Sequence, residues 1–327
     1  FIGMQDSVSP MITDLIVNGM NVLMSFVLAL GIKAVGYEGM GFPGIAAGTV
    51  AAQYSGLLVA VLLAVFKYRR NTFSTLSLSD LKGVFKGSET RRFFVMNTDL
   101  FVRSLCFIAI YIGFTVISAR YGDLLLAVSS IMMKLLMIFS YFTDGFAYAG
   151  EAMTGKYIGA KDAVMLRQTV KWTFVWSMGI ALIFIGIYHF AGVPLLRMMT
   201  SDVTVVEASR EYLPWLLLMP VIGCAAFTWD GIYIGATASK AIRNSMLWAV
   251  VGFTAVWFIG IACLNWLSPG IGLDSAAAGS LPASGSDVSG ATDYGRLAMH
   301  ILMAAYFAHL LARTIYLSAK YRKVVHI

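Results

Sequence analysis

Eight stretches of the chain run for more than twenty residues with almost no charge, at 11–32, 44–66, 97–119, 123–149, 168–190, 205–232, 243–267 and 296–318. A helix needs about 20 apolar residues to cross a hydrocarbon layer about 30 Å thick. Inside that layer no water is available to backbone N–H and C=O groups, so each stretch must satisfy its own as a helix. Of 327 residues 59% are hydrophobic and 13% charged, the latter about half the ~25% of soluble domains. One soluble core cannot hide that much apolar surface. The expected fold class is therefore all-α, a polytopic helical membrane protein with eight transmembrane helices. Soluble multidomain, disordered and fibrous classes are excluded.

The formal net charge is +7. In a membrane protein the placement of Lys and Arg reports topology first. One side carries sixteen cations, in 67–92, 156–171, 240–243 and 320–323, against only Lys33, Arg120, Arg197 and Arg296 on the other. That asymmetry predicts a cytoplasmic C-terminus and a cytoplasmic segment 67–92 in the cell (inner) membrane, and it removes the argument for nucleic acid. The three cysteines lie inside apolar runs and the four histidines are scattered, so neither a disulfide framework nor a metal site is predicted. Gly150 to Gly155, Lys156 and Tyr157 imitate a phosphate-binding loop, but Tyr stands where Ser or Thr would hold Mg²⁺, and a membrane helix precedes it instead of a strand. No cofactor is expected, and no enzymatic motif is present.

The polar stretch 67–92 divides two helices before it from six after it, and the Gly-, Ser- and Ala-rich segment 268–295 is expected to be a flexible loop. Phe1-Ile2-Gly3 with Ser7 echoes Tyr233-Ile234-Gly235 with Ser239, and a helix starts shortly after each. As an internal repeat, this match makes Phe1 the end of a fourth helix, with roughly 140 residues expected before it. The predicted domains are 1–66, the last two helices of an N-terminal lobe; 67–92, a cytoplasmic linker; and 93–327, a six-helix C-terminal lobe.

Polar groups at membrane depth are costly and mark function or helix contacts. Asp14, Asn18, Asn21 and Ser25 share one face of the first helix, as a hydrated stripe or as helix–helix hydrogen bonds. In the fourth helix Ser130, Lys134, Tyr141, Asp144 and Tyr148 form one stripe, with Met137 filling the gap. Lys134 lies about 17 Å in from Asp123, near mid-bilayer, and Asp144 about 15 Å further, too far to pair with it. Lys134 is thus a candidate for lining a substrate or ion path. Asp99 and Arg103 have the i, i+4 spacing of an intrahelical ion pair, and a coupling site is the alternative. Asp230 lies deep in the sixth helix with Tyr233 and Thr237 continuing its face, while Glu207 and Glu211 mark its outer end. Pro214 and Pro220 are expected to interrupt that helix, and Gly155/Gly159 and Gly231/Gly235 to permit close helix contact.

The run from Tyr141 through Asp144-Gly145 to Glu151, continuing to Gly155 and Gly159, resembles the multidrug and toxic compound extrusion (MATE) family. Phe227-Thr228-Trp229-Asp230-Gly231, Asn97 to Arg103 and the opening Gly3-Met4-Gln5-Asp6 are similar to its DNA-damage-inducible F branch. The resemblance implies twelve helices in two six-helix lobes around a V-shaped cavity. It further implies export of lipophilic or cationic compounds in exchange for H⁺ or Na⁺. Two departures stand out: Ser25 replaces an acid that many members carry after Asn18 and Asn21, and 268–295 is longer than the family's usual turn.

The reading is an alternating-access antiporter, monomeric, whose partners are small lipophilic or cationic substrates and membrane lipid. Asp99, Asp144 and Asp230 are its candidate coupling acids, with Arg103 and Lys134 as charge partners. Asn18, Asn21, Ser25 and Tyr141 are further site candidates. A lipid-linked oligosaccharide or polysaccharide flippase is the first alternative and a membrane-embedded enzyme the second.

Overall fold

Each apolar stretch forms a helix in the computed structural model, which describes residues 1, 6, 8–31, 38–68, 88–267 and 285–324. Among these residues every regular element is helical: α1 (Val8–Leu30), α2 (Phe42–Tyr68), α3 (Ser88–Ala119), α4 (Asp123–Gly159), α5 (Ala163–Met199), α6 (Val203–Arg210), α7 (Leu213–Gly235), α8 (Ser239–Leu267) and α9 (Gly285–Val324). All but α6 are long and apolar enough to cross a membrane, as expected for an eight-span membrane protein. Large apolar side chains such as Phe26, Phe66, Phe190 and Trp266 are more than 60% exposed, a surface that suits lipid and not water.

The helix boundaries correct three expectations. The stretch 205–232 is two helices, α6 and α7. Asp202 starts α6, accepting bonds from the Thr204 backbone N–H at 2.8 Å and the Thr204 hydroxyl at 2.7 Å, which hold its carboxyl below the usual carboxylate range. Pro214 therefore sits in the first turn of α7, where a missing N–H costs no hydrogen bond, and only Pro220 lies inside the helix. Thr237 lies beyond α7 at φ 54°, so it does not extend the Asp230 face. Of the segment 268–295, residues 268–284 fall outside the described residues, and the remainder begins α9. No proline follows Gly285 to interrupt the helix. The expected linker 67–92 is described only at its ends, and most of the Phe1–Ser7 repeat also lies outside the described residues.

The chain forms two compact units, Phe1–Arg91 and Arg92–Ile327. In the first, α1 and α2 pair along Gly44, Gly48, Ala52 and Gly56, a small residue every fourth position of α2. A Cβ on Gly44 would stand 2.3 Å from the Leu28 carbonyl oxygen, and one on Gly48 2.6 Å from the Ser25 nitrogen. Only glycine permits that approach, the usual membrane route to dispersion contact between helices. Lys67 reaches Asp6 at 2.8 Å.

In the second unit the core is built where α4 through α9 meet, with Leu135, Leu136, Phe139, Leu216, Met219 and Leu302 fully buried. α4 and α7 touch at backbone level. A Cβ on Gly231 would lie 2.1 Å from the Ala147 carbonyl oxygen, and one on Gly235 2.3 Å from that of Glu151. The second glycine pair behaves differently: Gly155 makes only an ordinary contact and Gly159 has open space. α3 instead meets the bundle through side chains, Phe114 against Tyr306 at 5.8 Å and Ser118, whose hydroxyl accepts from that of Ser129 at 2.8 Å.

Candidate functional site

The Gly231–Ala147 contact sets the site, because Asp230 precedes one residue and Asp144 lies about one turn before the other. Asp230 is 5% exposed, and one of its oxygens, Oδ2, accepts from both Arg103 of α3 and Arg313 of α9. Its other oxygen has no hydrogen-bond partner among the described residues. Arg313 is 1% exposed and lies over the Phe227 ring at 5.7 Å. Two guanidinium groups on one buried carboxylate leave an excess positive charge. Asp144, half-buried, lies within Coulombic reach of Arg103, Arg313 and Asp230 and makes no direct ion pair among the described residues. With Asp144 ionised the four groups balance; with it protonated they carry one net positive charge. Glu151, two turns further along α4, lies within Coulombic reach of Arg103.

Asp99 and Arg103 do not pair with each other. Asp99, 2% exposed, accepts from Arg243 at 2.6 Å and from the Ser239 hydroxyl at 2.8 Å, both on α8. The i, i+4 spacing made an intrahelical pair possible, but each side chain found a partner on a different neighbouring helix. This clasp and the Asp230 cluster occupy the same end of the unit, at the N-terminal parts of α3 and α8 and the C-terminal parts of α4, α7 and α9.

Along α4, toward its start, Lys134, Met137, Ile138 and Tyr141 line a cavity of about 600 Å³ with Phe107, Ile108 and Tyr111 of α3 and Met199 of α5. Such a volume suits a small organic ligand. Lys134 is exposed and has no ion-pair partner among the described residues, in keeping with its distance from Asp144. Tyr141 is 68% exposed. Ser130, on the same stripe, is exposed and bonds only its own helix at Leu126.

In the first unit Asn21 accepts from Ser25 at 3.1 Å and from Thr49 of α2 at 3.2 Å. That half of the polar stripe holds two helices together. Asn18 bonds the Asp14 carbonyl one turn back, and both residues are exposed. At the far end of the second unit Glu211 meets His300 at 3.1 Å, and Trp215 donates to the other ring nitrogen of His300 at 3.0 Å. Glu207 pairs with Arg210. Both acids serve helix ends.

Sequence reasoning missed Arg313 and the role of Arg243. Arg313 did carry a signal, as a lone cation inside an apolar span, which demands a counter-charge. Arg243 reads as a loop-side cation, and only packing shows its partner.

Eight helices long and apolar enough to span a membrane, with a charged cluster and an open cavity in the second unit, mark a multi-pass membrane protein. Residues 100–259, just under half of the chain, match the MatE family model. It is 32% identical over 268 residues to DNA damage-inducible protein F of Escherichia coli, spanning 81% of this chain and 55% of that protein. To a probable multidrug resistance protein NorM of Photorhabdus laumondii it is 25% identical over 270 residues, 78% of this chain and 54% of the relative. The chain thus spans about half the length of these curated relatives. A crystal structure of a MATE protein in complex with MaL6 has the same fold, with a TM-score of 0.65 at 14% identity over 95% of this chain and 62% of that one.

Proposed function

We propose that the chain is part of a secondary active exporter that expels lipophilic or cationic compounds in exchange for H⁺ or Na⁺ by alternating access. It would sit in the cell membrane with its C-terminus in the cytoplasm, the side that receives most Lys and Arg. The match of residues 100–259 to the MatE family model and similarity to a protein named for multidrug resistance support the class.

The observation that carries the coupling is Asp144. Asp99 is engaged by Arg243 and Ser239, and Asp230 by two arginines. A carboxylate so clasped is stabilised in its charged form and releases its partners only at high cost. Asp144 stands beside Asp230, Arg103 and Arg313 without a direct partner among the described residues, and so exchanges an ion without breaking a bond. Neutralising it leaves Arg103, Asp230 and Arg313 with unbalanced positive charge at the α3–α7–α9 contact. Two helix arrangements that solvate that charge differently are then biased by the ion, which is what alternating access requires. The cavity lies on the same helix, with Lys134 about 15 Å and Tyr141 about 4.5 Å from Asp144 along its axis.

The test uses the full-length protein in sealed vesicles, with dye efflux followed after a pH or Na⁺ gradient is imposed. The exporter reading expects efflux that rises with the gradient and stops when an ionophore collapses it. Gradient-independent scrambling of lipid, with no dye efflux, would instead establish a flippase.

A further inference from the structure

We infer that the cavity between α3 and α4 selects amphipathic anions, such as aromatic carboxylates, over cations. The inference rests on the exporter reading and narrows it, since for this cavity it favours lipophilic compounds with an acidic group and disfavours cationic ones. Its lining residues are Phe107, Ile108, Tyr111, Lys134, Met137, Ile138, Tyr141 and Met199. They include one ammonium and two phenols, and no Asp or Glu. The Tyr111 and Tyr141 hydroxyls make no hydrogen bond among the described residues, so both are free to donate to a ligand. The carboxylates of the neighbouring helix turns are outside this lining, the nearest along α4 being Asp144, one turn beyond Tyr141. Asp99 and Asp230 are clasped by arginines at one end of the unit, and Asp144 lies beside Asp230.

Lys134 is exposed at the wall of this cavity and brings a cationic side chain to it. A cation entering this space meets like charge at reduced dielectric without a compensating acid, whereas an anion finds the one strong donor and two weaker ones. Phe107, Ile108, Met137, Ile138 and Met199 supply an apolar wall that adapts to ring systems of different outline. A flat apolar body with a single acidic group satisfies both parts of the lining.

Three dansyl probes of matched ring and different charge test this on the full-length protein in nanodiscs: dansylglycine (anion), dansylamide (neutral) and dansylcadaverine (cation). Fluorescence enhancement reads saturable binding with no ion gradient present. The wild type should bind dansylglycine at least tenfold more tightly than dansylcadaverine. Lys134→Met should weaken dansylglycine about tenfold, leave dansylamide within twofold as a check on folding, and tighten dansylcadaverine. Lys134→Arg should restore dansylglycine to within about threefold of wild type. Tighter wild-type binding of dansylcadaverine than of dansylglycine overturns the inference, as does dansylglycine binding that is absent or indifferent to Lys134→Met. Failure of the exporter reading shows in a different assay: none of the three probes would move under an imposed gradient, whatever their order of binding.

Discussion

Gly231→Ala is the sharpest perturbation of the architecture. The new methyl carbon would stand 2.1 Å from the Ala147 carbonyl oxygen and 2.6 Å from its carbon. Ordinary contact begins near 3.4 Å, so α4 and α7 must separate by about 1 Å, and neither atom belongs to a side chain that can rotate away. A gap of that size forfeits a quarter to a half of the dispersion energy between the facing atoms. Overpacked cores lose about 1–3 kcal/mol and occasionally more, and a backbone-to-backbone clash belongs at the upper end. The substitution also moves Asp230 away from Asp144, so it should blunt ion coupling as well as stability. Gly145→Ala is the control: a Cβ there meets nothing within 4 Å, and alanine favours a helix over glycine by up to about 1 kcal/mol. Thermal unfolding of the purified protein in detergent should place Gly231→Ala well below wild type and Gly145→Ala at or above it. Equal unfolding temperatures for Gly231→Ala and wild type would refute the close α4–α7 contact.

Asp230→Asn strands two guanidinium groups, the buried one of Arg313 and the half-buried one of Arg103, and should cost about 3–5 kcal/mol of stability by denaturant titration. Asp99→Ala loses the bonds from Arg243 and Ser239. It should lower stability by about 1.5–3 kcal/mol, while residual efflux still follows the gradient. Asn21→Ala removes the bond from Thr49 and should cost about 0.5–1.5 kcal/mol, again with gradient dependence intact.

The spans were readable because a membrane helix must be apolar along its whole length, a constraint local to the sequence. The Lys134–Met137–Tyr141 stripe was readable for a related reason: four-residue spacing on a helix fixes a face whatever surrounds it. Partners were less legible. Asp99 and Arg103 stand one turn apart, yet each bonds a different helix, because lateral packing decides which charge lies nearer. Arg313 sits more than eighty residues from Asp230, and nothing in spacing joins them. The glycines did announce the α4–α7 contact, but the same pattern at Gly155 and Gly159 makes no such contact. A small residue permits close approach without requiring it. The break between α6 and α7 was hidden because apolar residues continue across it, with only Arg210, Glu211 and Pro214 to mark a helix end.

The central claim is that Asp144, and not the clasped acids, exchanges the coupling ion. Asp144→Asn in the full-length protein, reconstituted into vesicles, tests it by comparing substrate efflux with and without an imposed pH or Na⁺ gradient. Having no direct bond to lose, the variant should unfold within about 1 kcal/mol of wild type. It should also bind substrate normally and show efflux that no gradient accelerates. Gradient-stimulated efflux at the wild-type rate would contradict the account.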